Sequence, residues 1–292
     1  MEGNLIAAWF AKLVDALRIN KRRLSEDNID APGDRLVQPL KVATDGLYIR
    51  GRIFFPIEHP SRLYPALIIC HGIPAGPQAK SQSDPGYEAL ALEFNTIGVA
   101  SVIFNFRGCG DSDGNFHMMG WTRDLEAVTE QMLDTPHIDP SRIIILGFSE
   151  GGAAAIHVAA DNPKIYGLAV AGTPARFDLF KKGPSELVAD FRGRGIIRDR
   201  DFPHDLDDWY HAFDSIEPRH WISHFKGEYL LIVHGDEDEL FPLDHAQELK
   251  ELAPAGLGQL SILPHGVHSL KSDPQCIELI KEWILDILGW KI

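Results

Sequence analysis

The chain has 292 residues, 45% of them hydrophobic, and a formal net charge of -14 at pH 7. That length suits one large α/β domain with an insertion better than two equal domains. The acidic balance argues against nucleic acid as a partner, since nothing would neutralise phosphates, and equally against docking by charge onto an anionic membrane.

The first residues read as an amphipathic helix. Leu5, Ile6, Trp9, Phe10, Leu13, Val14 and Leu17 fall on one face, and Lys12, Asp15 and Arg18 on the other. The stretch lacks the basic leader and small-residue cleavage site of a signal peptide. The expectation is a helix laid over the body or against a second copy in a homodimer, with an interfacial membrane anchor as the alternative. No segment has enough consecutive apolar residues to span a bilayer. Cys70, Cys109 and Cys276 are too scattered for a disulfide framework, and the cytoplasm is the expected compartment.

Strand-like segments follow at 36–42 and 47–55, joined by a hairpin turn through Ala43-Thr44-Asp45-Gly46. Strand and helix patterns then alternate. Strands are expected at 66–70, 100–106, 143–146, 167–171, 229–233 and 260–263. Helices are expected at 87–96, 122–134, 152–160, 243–252 and 274–288. Asp273 as N-cap, Pro274 in the first turn and Gly289 past the end delimit the last helix. This pattern implies a mostly parallel, doubly wound sheet of about eight strands with helices on both faces. A stretch from about Thr173 to Ser223 is too long for a connection and too apolar for disorder. The expected domains are the helix at 1–30, a core of 31–172 and 224–292, and an inserted cap at 173–223.

One stretch carries the chemistry. Residues 142–160, RIIILGFSEGGAAAIHVAA, run from a buried strand through a sharp turn into a small-residue helix. Strand, G-x-S-x-G, helix is the setting of a nucleophile elbow, with Ser149 at its tip. Glycines on either side let strand and helix approach without a Cβ clash, and the serine backbone is expected to be strained. In an open parallel sheet, chemistry collects where strands end. One later strand ends in His234-Gly235-Asp236-Glu237-Asp238 and the next in Pro264-His265-Gly266-Val267-His268.

The order Ser…Asp…His on this alternation resembles the α/β-hydrolase superfamily. So do His71-Gly72-Ile73-Pro74 after the first parallel strand and Asn105-Phe106-Arg107-Gly108-Cys109-Gly110-Asp111-Ser112, an R-G-x-G-x-S turn. Trp121 and Asp124 at the next helix and His234-Gly235-x-x-Asp238 complete the likeness. It covers nearly everything after Leu36, and within the superfamily the nearest groups are small capped esterases and serine-aminopeptidase-like members. The resemblance implies Ser149 as nucleophile, His268 as general base and then acid, and Asp238 as the group that fixes the imidazole tautomer. The backbone N–H groups of Ile73 and Glu150 would form the oxyanion hole. The direction of the Glu150 side chain stays open.

Competing residues have plainer roles. His265 reads as structural beside His268, and Asp236 as a solvated turn residue beside Asp238. The acidic run 236–239 and His265-x-x-His268 lack the further ligands of a cation or zinc site, so no metal and no cofactor is expected. Arg107 reads as a salt-bridge partner, and His71 as shaping the oxyanion loop. The expected reaction is hydrolysis of a carboxylic ester of modest acyl size. A peptidase or amidase, an acyltransferase and a non-catalytic binding relative are the alternatives. Arg192, Arg194, Arg198 and Arg200 are expected to be solvated and ion-paired, with capture of a substrate carboxylate as the sharper alternative.

Overall fold

The computed structural model describes residues 37–56, 63–76, 86–177 and 182–290. The amphipathic helix expected at 5–17 lies outside the described residues. The chain enters the sheet as a hairpin, β1 (Val37–Thr44) and β2 (Leu47–Phe54). Asp45 and Gly46 both take positive φ, 50° and 74°, which makes a tight two-residue turn that matches the strand twist. There follow β3 (Tyr64–Cys70), α1 (Gly86–Asn95), β4 (Ala100–Asn105), α2 (Met118–Leu133), β5 (Ile138–Phe148), α3 (Glu150–Ala159) and β6 (Ile165–Ala171). Next come α4 (Pro184–Gly193), α5 (Leu206–Ser215) and the short α6 (Pro218–Trp221). The sheet then resumes with β7 (Tyr229–Gly235), α7 (Asp244–Leu252), β8 (Gly258–Leu263) and α8 (Pro274–Ile287).

The eight strands lie in the order β1-β2-β4-β3-β5-β6-β7-β8. β2 runs antiparallel to both neighbours. From β4 to β8 every pairing is parallel. Every residue of β3 is buried, as a central strand covered on both faces must be. Its alternate side chains feed two cores. Ile68 packs in one with Trp121, Ile145 and Ala154. Leu67 and Ile69 pack in the other with Phe94, Leu146 and Ile284. Helices therefore cover both faces of a mostly parallel sheet, as the periodicity implied.

Two elements start well ahead of the expectation. α2 starts at Met118, a turn before Thr122, because His117 caps it: its extended backbone (φ -152°) and ring Nδ1, which accepts the Gly120 N–H at 3.2 Å, replace the usual small cap. β5 starts at Ile138, before the apolar run, because Ile138 pairs with Tyr64 ahead of a register shift. The polar Asp139-Pro140-Ser141-Arg142 between them carries no strand pattern. The end signals of α8 hold. The Asp273 side chain accepts the Gln275 and Cys276 N–H groups at 2.8 and 3.2 Å.

The segment between β6 and β7 has its own aromatic interior. Phe191, Trp209 and Phe213 pack around Phe116, with ring centroids 4.8, 6.3 and 5.8 Å away. Trp209 Nε1–H donates to the Phe116 carbonyl at 2.9 Å. These side chains, with Leu187, Ile196 and Ile197, are almost wholly buried. They anchor the segment to the stretch before α2, and Phe202, Tyr210 and Trp221 remain only partly buried.

Candidate active site

The elbow is as tight as the spacing demanded. Ser149 sits at φ 53° and ψ -130°, a backbone region that costs a side-chain-bearing residue of order 1–3 kcal/mol. A Cβ on Gly147 would come within 2.4 Å of the Gly152 Cα, and one on Gly151 within 2.3 Å of the His71 carbonyl oxygen. Strand, helix and the loop after β3 thus meet where only glycine fits. Gly152 fits for a reason no local pattern carries: a Cβ there would come within 1.9 Å of Thr173 Oγ1, beyond β6.

Ser149 Oγ lies 2.9 Å from His268 Nε2. His268 Nδ1 lies 2.8 Å from Asp238 Oδ2. The other Asp238 oxygen accepts the Leu240 and Phe241 N–H groups, each at 2.9 Å. Burial by itself would push the Asp238 carboxyl up, but the hydrogen bonds from His268 and the Phe241 amide hold it below the usual carboxylate range. The loops after β7 and β8 can meet because a Cβ on Gly235 would strike the Gly266 carbonyl oxygen at 2.0 Å. The three side chains singled out from the sequence are therefore brought together.

Their competitors are elsewhere. His265 points into solvent with its side chain 85% exposed, and its Nδ1 lies 2.7 Å from Glu237 Oε1. Asp236 accepts the His265 backbone N–H at 2.6 Å. Arg107 is buried and forks onto Asp124, with Nη2 at 2.7 Å and Nε at 3.0 Å, and also meets Asp45 at 2.9 Å. His71 donates from Nδ1 to the Gly72 carbonyl at 2.8 Å, and its Nε2 accepts the Phe106 N–H at 3.2 Å. Burial drives its pKa down to about 4. Arg192 bonds the carbonyls of Arg200 and Phe202, Arg194 pairs with Asp190, and Arg198 bonds the carbonyls of Gly110 and Ser112. Three of these four arginines between β6 and β7 are thus engaged in holding the chain, and Arg200 is exposed.

The loop after β3 holds a surprise. The Ile73 N–H donates to Glu150 Oε2 at 3.0 Å, and Ser149 Oγ donates to the same oxygen at 2.8 Å. The Glu150 side chain, open in direction from the sequence, turns inward and is buried. The Glu150 backbone N–H begins α3, where it has no partner within its own helix.

Residues 89–258, more than half of the chain, match the model of the prolyl oligopeptidase family. The chain belongs to that family. Its architecture is that of the α/β hydrolases. The matched stretch contains Ser149 and Asp238 and ends before His268. An uncharacterised Mycobacterium tuberculosis protein is 27% identical over 99 residues, which cover 34% of this chain and 33% of the relative. This prolyl oligopeptidase family member thus spans about a third of that relative's length. The human mitochondrial palmitoyl-protein thioesterase ABHD10 is 22% identical over 70% of each chain. Among solved structures, the ferulic acid complex of Est1E from Butyrivibrio proteoclasticus superposes with a TM-score of 0.66 at 22% identity, over 85% of this chain and 97% of Est1E. At that identity the likeness concerns the fold alone.

Among the described residues, no group of three or more His, Cys, Asp or Glu side chains is placed to hold a metal ion. None of the described helices is long and apolar enough to cross a membrane.

Proposed function

We propose that this chain is a serine hydrolase that cleaves a carboxylic ester of modest acyl size through a covalent acyl-enzyme. The observation that carries the reading is the continuous chain from Ser149 Oγ to His268 at 2.9 Å and on to Asp238 at 2.8 Å. In the reactive state Ser149 Oγ attacks the ester carbonyl carbon, and its proton passes to His268 Nε2. The carbon–oxygen bond to the leaving group breaks, and the departing alkoxide takes that proton. Water then attacks the acyl-enzyme, gives a proton to His268, and releases the acid as that proton returns to Ser149. Asp238 holds the Nδ1–H tautomer and stabilises the imidazolium. The N–H groups of Ile73 and Glu150 receive the oxyanion, and the segment 173–223 serves as a cap over the acyl group.

A panel of p-nitrophenyl esters of rising acyl length, with amides alongside and Ser149→Ala as control, tests this reading. Short acyl esters should turn over fastest, and Ser149→Ala should abolish turnover while melting as wild type does. Near-native turnover in a folded Ser149→Ala variant would end the proposal. The family match favours one second reading, a peptidase or amidase built on the same three residues. It predicts that amides in the panel outpace esters.

A further inference from the structure

The oxygen that occupies the site expected for the oxyanion belongs to the protein. Glu150 Oε2 accepts the Ile73 N–H at 3.0 Å and the Ser149 hydroxyl at 2.8 Å. An acyl substrate would place its carbonyl oxygen on that same N–H, next to that same hydroxyl. We propose that the Glu150 side chain is a plug: it fills the oxyanion site of the resting enzyme and must leave before a carbonyl can bind. The proposal rests on the reading of Ser149 as nucleophile and adds to it a residue that decides which ligands reach the site.

Three features of the geometry carry it. First, two contacts meet at Ser149 Oγ, one to Glu150 and one to His268 Nε2 at 2.9 Å. The hydroxyl has one proton. With that proton directed at Glu150, it is not directed at Nε2, so the seated plug and general-base attack exclude each other. Second, attack builds negative charge on the carbonyl oxygen, and a carboxylate held at that point would repel it. Third, the seat is well formed. The carboxylate is buried, lies at the start of α3 where the helix dipole favours negative charge, and has a neighbour without a side chain. A Cβ on Gly72 would come within 2.8 Å of the Ser149 Cβ and 3.1 Å of Glu150 Oε2.

The side chain can be removed while its backbone N–H, the second expected oxyanion donor, stays in place. That makes the test clean. Phosphonylation of Ser149 by a fluorophosphonate should be roughly tenfold faster or more in Glu150→Ala, because charge-assisted hydrogen bonds no longer compete with the probe. Glu150→Gln, which keeps the shape and loses the charge, should fall between. Acetate should leave wild type unaffected and competitively inhibit Glu150→Ala, by filling the vacated seat. In a crystal structure of the phosphonylated wild type, a phosphonyl oxygen should sit on the Ile73 N–H with the Glu150 carboxylate displaced. Equal or slower labelling in both folded variants would overturn the plug and make Glu150 an assisting group. A carboxylate still on the Ile73 N–H in the phosphonylated wild type would overturn it even if neither variant folds. Absence of labelling at Ser149 in every form would instead sink the nucleophile reading itself.

Discussion

The loops that follow β7 and β8 hold two histidine–carboxylate pairs. His268 meets Asp238 at 2.8 Å, and three residues away His265 meets Glu237 at 2.7 Å. Residue types and distances are nearly the same. Their surroundings are opposite. Asp238 is buried and also receives two backbone N–H groups, whereas the His265 and Glu237 side chains are 85% and 56% exposed. Water screens the outer pair and competes for its hydrogen bond. The inner pair is locked in direction, and its free ring nitrogen is aimed at Ser149. A hydrogen-bonded histidine becomes a candidate base through the rigidity and burial of its partner.

The comparison breaks most visibly at the rings. His268→Ala should lower kcat on the order of 10⁶-fold, as loss of a triad member acting as a unit does, whereas His265→Ala should stay within a few-fold of wild type. Steady-state turnover of the best p-nitrophenyl ester measures both. The carboxylates come next. Asp238→Asn should cost on the order of 10⁴-fold in kcat by releasing the imidazole tautomer. Asp236→Asn, which touches only the His265 backbone, should cost little. A reversed ranking in either pair would transfer the role to the outer residue.

A third histidine sharpens the point, because it is buried without a carboxylate. Burial lowers the His71 pKa from 6.5 to about 4, and its Nε2 must stay unprotonated to accept the Phe106 N–H. The unfolded chain binds a proton near 6.5 that the folded chain refuses. Stability should therefore be full above pH 6.5 and decline by roughly 3 kcal/mol as pH falls through that window to about 4. Urea unfolding at pH 7.5 and pH 5 measures it, and His71→Asn should flatten the difference. The smallest effect belongs to the outer pair and has the opposite sign. Glu237 raises the His265 pKa, so its contribution is present below pH 6.5 and is lost as pH rises through the raised value. Glu237→Gln should leave the melting temperature almost unchanged at pH 7.5, where a marked drop would show the pair to be structural.

Much of this molecule was legible in one dimension. The buried strand, the glycines at 147 and 151 and the small-residue helix after Ser149 are consecutive in the chain, so the elbow could be read from local sterics alone. The alternation from β3 to α8 was equally local, because two-sided burial of a strand and one-sided burial of a helix leave different periods. Asp238 and His268 were legible only through strand ends, and their preference over Asp236 and His265 rested on spacing. The start of α2 was missed because a histidine ring does the work of a small capping side chain. Phe191, Trp209 and Phe213, whose apolar character spoke against disorder in 173–223, pack around Phe116, a residue in a different part of the chain.

The sequence by itself determined the sheet, the order of the chemistry-bearing loops and the strained serine, since each follows from steric and burial rules acting over a few neighbouring residues. Tertiary structure alone decided which atoms meet at Ser149. His268 arrives from 119 residues along the chain, and the Ile73 N–H that turns the Glu150 carboxylate inward lies 77 residues away. A side chain's hydrogen-bond partner is set by loops that only the folded sheet brings together, so no local pattern could say where the Glu150 carboxylate would point.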